Sequence, residues 1–309
     1  KDLNLSNNEQ GILLAYTTNS TLMNVTASDN YNGIYLYYSN NNTVARNMVA
    51  DNSFGIYAAV SHYNYINSNV ALRNVFGVYL SYSHNSTVLM NKVTGAFQSW
   101  VGICLTRATG NVLSENVVLD NQFFVGAGIY LELSSNNNTI IRNTLENNGY
   151  GITLEYLAWL YGFKDQNNNN TIYHNNFSTN TKQVFSLYSI NTWDNGYPSG
   201  GNYWSDYVGV DLYYGPYQNL TGSDGIGDEP YVIDTDNRDR YPIMGRWPPL
   251  MGDVNFDGTV DISDIYAAAL AFGSYPSRPN WSPAADINKD LMVDIQDIYL
   301  IATNFGKTT

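Results

Sequence analysis

The chain has 309 residues, enough for one elongated domain and a small one. Its 14 Lys and Arg stand against 27 Asp and Glu, a formal net charge of −13; that is too little positive charge to neutralise nucleic-acid phosphates or to hold an anionic membrane surface. One cysteine, Cys104, excludes an internal disulfide framework and a thiolate metal cluster, and no run of about 18 apolar residues offers a membrane-inserting helix.

The chain opens on a repeat. Gly followed by Ile or Val recurs at Gly11, Gly33, Gly55, Gly77, Gly102, Gly128 and Gly151. Two residues after each Ile or Val stand Leu14, Leu36, Ala58, Leu80, Leu105, Leu131 and Leu154, the alternation of a half-buried strand. A second apolar slot (Leu22, Val44, Ile66, Val88, Leu113, Ile140, Ile172) is followed three residues later by Asn47, Asn69, Asn91, Asn116, Asn143 and Asn175, with Val25 in the first coil. Asn8, Asn30, Asn52, Asn74 and Asn148 precede the Gly positions by three. A period near 22 with stacked Asn predicts a mostly β fold, a parallel β-helix of about seven coils over residues 1–177.

Several features decorate this predicted rod. Glu132 and Glu155 share a slot on neighbouring coils, a spacing that suits a retaining glycosidase but more commonly means a stacked surface pair. His62 and His84 share another, with no third ligand aligned for copper or zinc. Tyr35, Tyr57, Tyr79 and Tyr130 form one outward column and Tyr16, Tyr38 and Tyr82 a second, suited to cross-coil stacking, sugars or a partner. The basic residues Arg46, Arg73, Lys92, Arg107 and Arg142 are scattered, which disfavours a polysaccharide lyase. Asn-x-Ser/Thr sequons stand at Asn4, Asn19, Asn24, Asn41, Asn85, Asn137, Asn169, Asn176, Asn219 and Asn280, glycan acceptors if the protein is extracellular.

Residues 178–247 lose the period and become rich in Gly, Tyr, Trp and Asp, reading as an aromatic cap over the end of the sheets. Within it Asp224 and Asp228 bracket an Asp-Gly-x-Gly-Asp run that suits a further calcium ion. Arg246-Trp247-Pro248-Pro249 reads as a stiff linker into a small α-helical domain, residues 248–309.

That domain contains two twelve-residue loops with oxygen donors at EF-hand spacing. The first offers Asp253, Asn255, Asp257, the Thr259 carbonyl, Asp261 and Asp264; the second offers Asp286, Asn288, Asp290, the Met292 carbonyl, Asp294 and Asp297. Each predicts one calcium ion and a following helix, Ile265–Phe272 and Ile298–Phe305, stopped by Gly273 and Gly306. The first loop has Gly258 at its sharp turn; the second has Leu291, which predicts strain and a weaker or bent site.

Residues 1–177, through Asn42-Thr43-Val44-Ala45-Arg46-Asn47 and Asn138-Thr139-Ile140-Ile141-Arg142-Asn143, resemble the NosD-like, carbohydrate-binding and sugar-hydrolase class of right-handed β-helix repeats. Gly200–Tyr207, Asp224–Asp228 and Asp239-Arg240-Tyr241-Pro242 resemble the tail of archaeal NosD-like surface proteins. The duplicated loop and helix resembles a type I-like dockerin, which implies docking to a cohesin domain.

The expected function is a non-catalytic extracellular or cell-surface assembly protein, joined to neighbouring copies as a homo-oligomer or polymer through the calcium module. The alternatives are a carbohydrate-binding or polysaccharide-degrading part of a cohesin complex, and a periplasmic NosD-like maturation factor, disfavoured by the shortage of His and Met ligands. The chain shows no signal peptide, and Lys1 suits the start of a trimmed, secreted chain.

Overall fold

The computed structural model describes residues 3–95, 99–123, 126–154, 166–276 and 278–308. The chain divides into two compact units: Lys1–Thr192 with Ile233–Asn237, and Trp193–Val232 with Arg238–Thr309.

Unit one is a parallel β-solenoid. A representative turn runs through Met48–Ala50, Phe54–Ala59 and Tyr65–Asn67. Each of these strands pairs in parallel with the strand 22 residues on. The sheet of longer strands runs in sequence order from Gln10–Ala15 to Lys182–Ser186, eight strands among the described residues. The expected seven coils therefore become about eight, and the solenoid continues past residue 177. The last strand escaped the sequence pattern because Gln183-Val184 stands where the other turns have Gly-Ile or Gly-Val, with Val184 in register with Ile152.

The period of two is expressed as burial. Ile34, Leu36, Ile56 and Leu80 have no exposed surface, while Tyr35, Tyr57 and Tyr79 face outward. Stacking each turn on the next buries this apolar column continuously, at roughly 25 cal/mol per Å² removed from water. The glycines allow the close approach that the stack requires: a Cβ at Gly102 would lie 2.2 Å from Val118 Cγ1 and 2.7 Å from the Gly128 carbonyl oxygen.

The corners are where the backbone is strained and where it is repaired. In one turn Tyr38, Asn41, Arg46 and Asp51 take left-handed φ angles of 46°, 55°, 55° and 57°, each costing a non-Gly residue about 1–2 kcal/mol. Each is followed by a buried polar residue: Ser39, Asn42, Asn47 and Asn52. Asn47 shows the repair. Its Oδ1 accepts from the Val25 N–H at 3.0 Å, and its Nδ2 donates to the Leu22 carbonyl at 3.1 Å. Amide-to-amide bonds of 2.9 to 3.0 Å link Asn47, Asn69, Asn91, Asn116, Asn143 and Asn175. The second expected ladder also forms and gains Asn121 and Asn180. A third, through Asn42, Asn64, Ser86, Asn111 and Asn138, and a serine series of Ser39, Ser61 and Ser83 were not foreseen.

Unit two joins the aromatic segment and the helical module in one body. Trp193 and Trp204 are buried, and Asp239, fully buried, accepts from Asn202 N–H at 2.7 Å and Trp204 Nε1 at 2.9 Å. Arg240 grips Asp194 with two bonds of 2.9 and 2.7 Å. The helices α1 (Ile262–Leu270) and α2 (Ile295–Asn304) pack around Val260, Val293, Ala268, Ile301 and Trp281, with Tyr214 of the aromatic segment against the same core. Ala284 N–H donates to the Ser223 carbonyl at 3.1 Å. The helices start three residues earlier than the spacing predicted. Asp261 and Asp294 are their N-caps, so each loop's last Asp lies inside the first turn.

Candidate functional sites

The two acidic loops repeat each other bond for bond. Asp253 accepts from the N–H groups of Asp257 and Gly258 at 3.1 and 2.9 Å; Asp286 accepts from Asp290 and Leu291 at 3.1 and 3.0 Å. Asn255 Oδ1 receives Asp257 N–H, and Asn288 Oδ1 receives Asp290 N–H. Asp264 ties the loop to its helix by accepting from Val254 and Asp261; Asp297 does the same with Ile287 and Asp294. Burial pushes the carboxyls of Asp253 and Asp286 up, and Asp264 and Asp297 add like-charge repulsion. The loop carboxylates are turned on to backbone N–H groups, and among the described residues no three His, Cys, Asp or Glu side chains converge as a metal cluster. Leu291 takes φ of 71°, the left-handed conformation that Gly258 takes at 87°, as the missing glycine predicted.

On the outward face of the long-strand sheet, Tyr35, Tyr57 and Tyr79 stack with ring centroids 4.9 and 5.1 Å apart, and Phe54 stacks on Phe76 at 5.1 Å. One turn of the solenoid equals one stacking distance, so the ring faces cover each other and the edges face outward. Cys104 stands between Tyr79 and Tyr130 in the register and interrupts the expected column. In the second column Tyr16 stacks on Tyr38 at 5.5 Å, but Val60 separates Tyr38 from Tyr82.

Glu132 is 7% exposed. Thr106 Oγ1 donates to its Oε1 at 2.6 Å and is itself 3.0 Å from the Tyr79 hydroxyl; Tyr130 lies within hydrogen-bonding reach of the same carboxyl. Burial raises the Glu132 carboxyl above the ordinary range. Glu155, its expected mate, and the side chain of Asn4 lie outside the described residues. The scattered bases serve the coils: Arg73 pairs with Asp51 at 2.5 Å, and Arg107 sits over the Tyr82 ring.

His62 and His84 stack at 5.0 Å with an interplanar angle of 7°. Each is a rung in an outer ladder. Nδ1 of His62 accepts from His84 N–H at 3.1 Å, and Nδ1 of His84 accepts from Thr109 N–H at 3.1 Å. That fixes the proton on Nε2 and uses the ring's one lone pair.

Eight sequon asparagines, Asn19, Asn24, Asn41, Asn85, Asn137, Asn169, Asn219 and Asn280, are exposed. Asn176 is not: it is 4% exposed inside a strand, which removes it as an acceptor in the folded chain. Asp224 and Asp228 are not brought together as a pair. Asp228 accepts from Leu212 and Tyr213 N–H, whereas Asp224 lies beside Asp211, whose carboxyl burial raises to about 6.

A crystal structure of a mutant of the periplasmic alginate epimerase AlgG matches with 22% identity and a TM-score of 0.50, over 61% of this chain and 48% of that one. A double mutant of the same enzyme gives 21% and 0.50 over the same shares. The A-module of the Azotobacter vinelandii mannuronan C-5 epimerase AlgE6 gives 12% and 0.40, over 57% and 58%. The chain spans about half the length of the AlgG structures it matches, and the likeness shows the parallel β-solenoid fold. No curated protein sequence matches it. The family model described as periplasmic copper-binding protein (NosD) matches residues 1–209; with more than half of its length inside that match, the chain belongs to this family.

Proposed function

We propose that the chain is a non-catalytic assembly protein working outside the cytoplasm, in which calcium held by the two loops of unit two shapes a dockerin-like docking surface. The observation that carries this reading is the duplication of the loop hydrogen bonds around an all-oxygen donor set. Each carboxylate oxygen that accepts an N–H keeps a second lone pair, so those bonds are compatible with an ion. Asp253, Asn255, Asp257, Thr259, Asp261 and Asp264 would hold one, and Asp286, Asn288, Asp290, Met292, Asp294 and Asp297 the other. A hard cation that accepts carboxylate, amide and carbonyl oxygen suits such a set. Placement outside the cytoplasm is supported by the periplasmic description of the family.

The surface that calcium would shape is apolar and duplicated. Ile262 and Tyr266 on α1 are 67% and 66% exposed, and Ile295 and Tyr299, 33 residues later on α2, are 65% and 67% exposed. Such residues mark protein contacts. Because the same pair is presented twice, a second copy of the chain can meet the patch with a like patch. Sedimentation of the full chain with calcium and with chelator tests this. Calcium-dependent self-association that is lost in Tyr266→Ser/Tyr299→Ser supports it. A chain that stays monomeric at high calcium and protein overturns the copy as occupant and leaves a separate, cohesin-type partner.

The family description names copper, but the stacked His62 and His84 pair and Cys104 do not fit it. The Nδ1 lone pairs of His62 and His84 are spent on backbone N–H groups, and Cys104 is buried with its thiol pushed well up by desolvation.

A second reading, a site acting on polysaccharides, is favoured by the buried Glu132, Thr106 and Tyr79 series. Product release from uronate polysaccharides that disappears in Glu132→Gln would establish it over the non-catalytic reading.

A further inference from the structure

One corner of unit one carries residues that its geometry alone does not call for. In seven successive turns the left-handed residue at this corner is Asn19, Asn41, Tyr63, Asn85, Gly110, Asn137 and Asn169, with φ between 54° and 68°. Two residues on, the strand opens with Thr21, Thr43, Tyr65, Thr87, Val112, Thr139 and Thr171. Thr stands in all five turns whose corner is Asn, and in neither turn whose corner is Tyr or Gly. The residue between them is Ser20, Asn42, Ser86, Asn138 or Asn170, never Pro.

Fold requirements explain each residue singly but not the pairing. Left-handed φ favours Asn, yet the other corners fill the same conformation with Tyr38, Arg46, Asp51, Arg73 and Met90. Strand propensity favours Thr, yet Tyr65 and Val112 hold the same register in the same sheet. The side chains do not explain it either. All five Asn are exposed, and among the described residues none of their amides makes a hydrogen bond, whereas the ladder residue directly after each is a rung of the stack. At the fifth turn, Gly110 leaves space for its neighbour: a Cβ there would lie 2.4 Å from Asn85 Oδ1.

We infer that this corner is a single file of N-glycosylation acceptors, Asn19, Asn41, Asn85, Asn137 and Asn169, running along one edge of the solenoid. The inference rests on the reading that the protein works outside the cytoplasm. The donor is a lipid-linked oligosaccharide phosphate used by a transferase that reads the Asn and the Thr hydroxyl two residues on. Asn Nδ2 forms a bond to sugar C1, the C1–O bond to phosphate breaks, Nδ2 gives up a proton to the transferase's base, and the lipid phosphate leaves. Neighbouring turns are about 4.8 Å apart, so Asn19 competes with Asn41 for space and Asn137 with Asn169. Asn85, flanked by Tyr63 and Gly110, has no such competitor.

The test uses the native protein and its Thr87→Val variant, made in the source cells, fractionated, and mapped by peptide mass spectrometry after amidase treatment in isotopically heavy water. The expected result is glycan on nearly all Asn85, on at least one member of each pair, and none on buried Asn176. Thr87→Val, a residue the next turn accommodates as Val112, should remove the Asn85 glycan alone and leave melting unchanged. Protein found outside the cytoplasm with this corner bare would overturn the inference and spare the reading beneath it. Protein found in the cytoplasmic fraction would overturn both.

Discussion

A buried amide in this protein is worth what it satisfies. Asn116 has no exposed surface; its Oδ1 accepts from Asn91 N–H at 3.0 Å, and its Nδ2 donates to the Val88 carbonyl at 2.8 Å and to Asn143 Oδ1 at 2.9 Å. Asn116→Ala strands a buried N–H and a buried C=O, each costing about 1–3 kcal/mol. We expect a loss of about 3 kcal/mol, read as a lower urea midpoint at constant slope; a loss below about 1 kcal/mol would mean that water replaces the amide. The histidines add a pH dependence of defined sign. Burial lowers the folded pKa of His62 and His84 below the usual 6.5. Protonated Nδ1 would also point a proton at the next turn's N–H. A depressed folded pKa means that stability is complete above about pH 6.5, falls as pH drops from there towards the folded pKa, and levels off below it. His62→Asn/His84→Asn, which puts at both turns the rung that Asn40 makes one turn earlier, where its Oδ1 accepts from His62 N–H at 2.6 Å, should flatten that fall in a plot of melting temperature against pH. An unchanged slope would assign the fall to other groups.

At the scale of elements, what was legible followed from period and what was missed followed from context. The Gly-Ile and Asn spacings located the long-strand sheet and two ladders because a coil repeats its inward residues. The third ladder and the serine series hid because Ser and Asn alternate in it, and hydrogen-bonding equivalence is not sequence identity. The last strand hid because Gln183 replaces Gly. Both helices were found, but three residues late, because a carboxylate read as an ion ligand also serves as N-cap. Of the candidate sites, the loops show the positive φ that the missing glycine at Leu291 predicts, and their calcium is a proposal that binding must test. The Glu132 contact with Thr106 and Tyr79 was not legible, since it joins turns 26 and 27 residues apart through side chains. The glycine swap tests the loop reading. Leu291 is 62% exposed, so Leu291→Gly gives up little packing while relieving its positive φ. Relief of about 1 kcal/mol corresponds to roughly five-fold tighter calcium binding in the second loop. Gly258→Leu should weaken the first loop by a similar factor. Titration calorimetry on both variants decides; affinities that do not move would show that φ is not what separates the loops.

At the scale of the whole molecule, the division into units changes what calcium removal should do. The sequence places the small domain at residues 248–309 and predicts that chelation unfolds residues 250–309 and spares the rod. The structure ties that module to the aromatic segment instead. Tyr214 packs on the helical core, Ala284 bonds Ser223, and Phe256 of the first loop lies over Gly225, where a Cβ would come within 2.7 Å of its ring. Without an ion, Asp253, Asp257, Asp261 and Asp264 hold like charges within one twelve-residue loop, and their repulsion opposes the fold. When α1 loosens, the contacts of residues 211–226 lose their support. Unit one has a core and hydrogen-bonded ladders of its own. Hydrogen exchange with calcium and with excess chelator should therefore show lost protection over 250–308 and also over 211–226, with the strands of unit one unchanged. Lost protection confined to residues after 248 would restore the boundary read from the prolines. Unchanged protection throughout would remove calcium from the account of this fold.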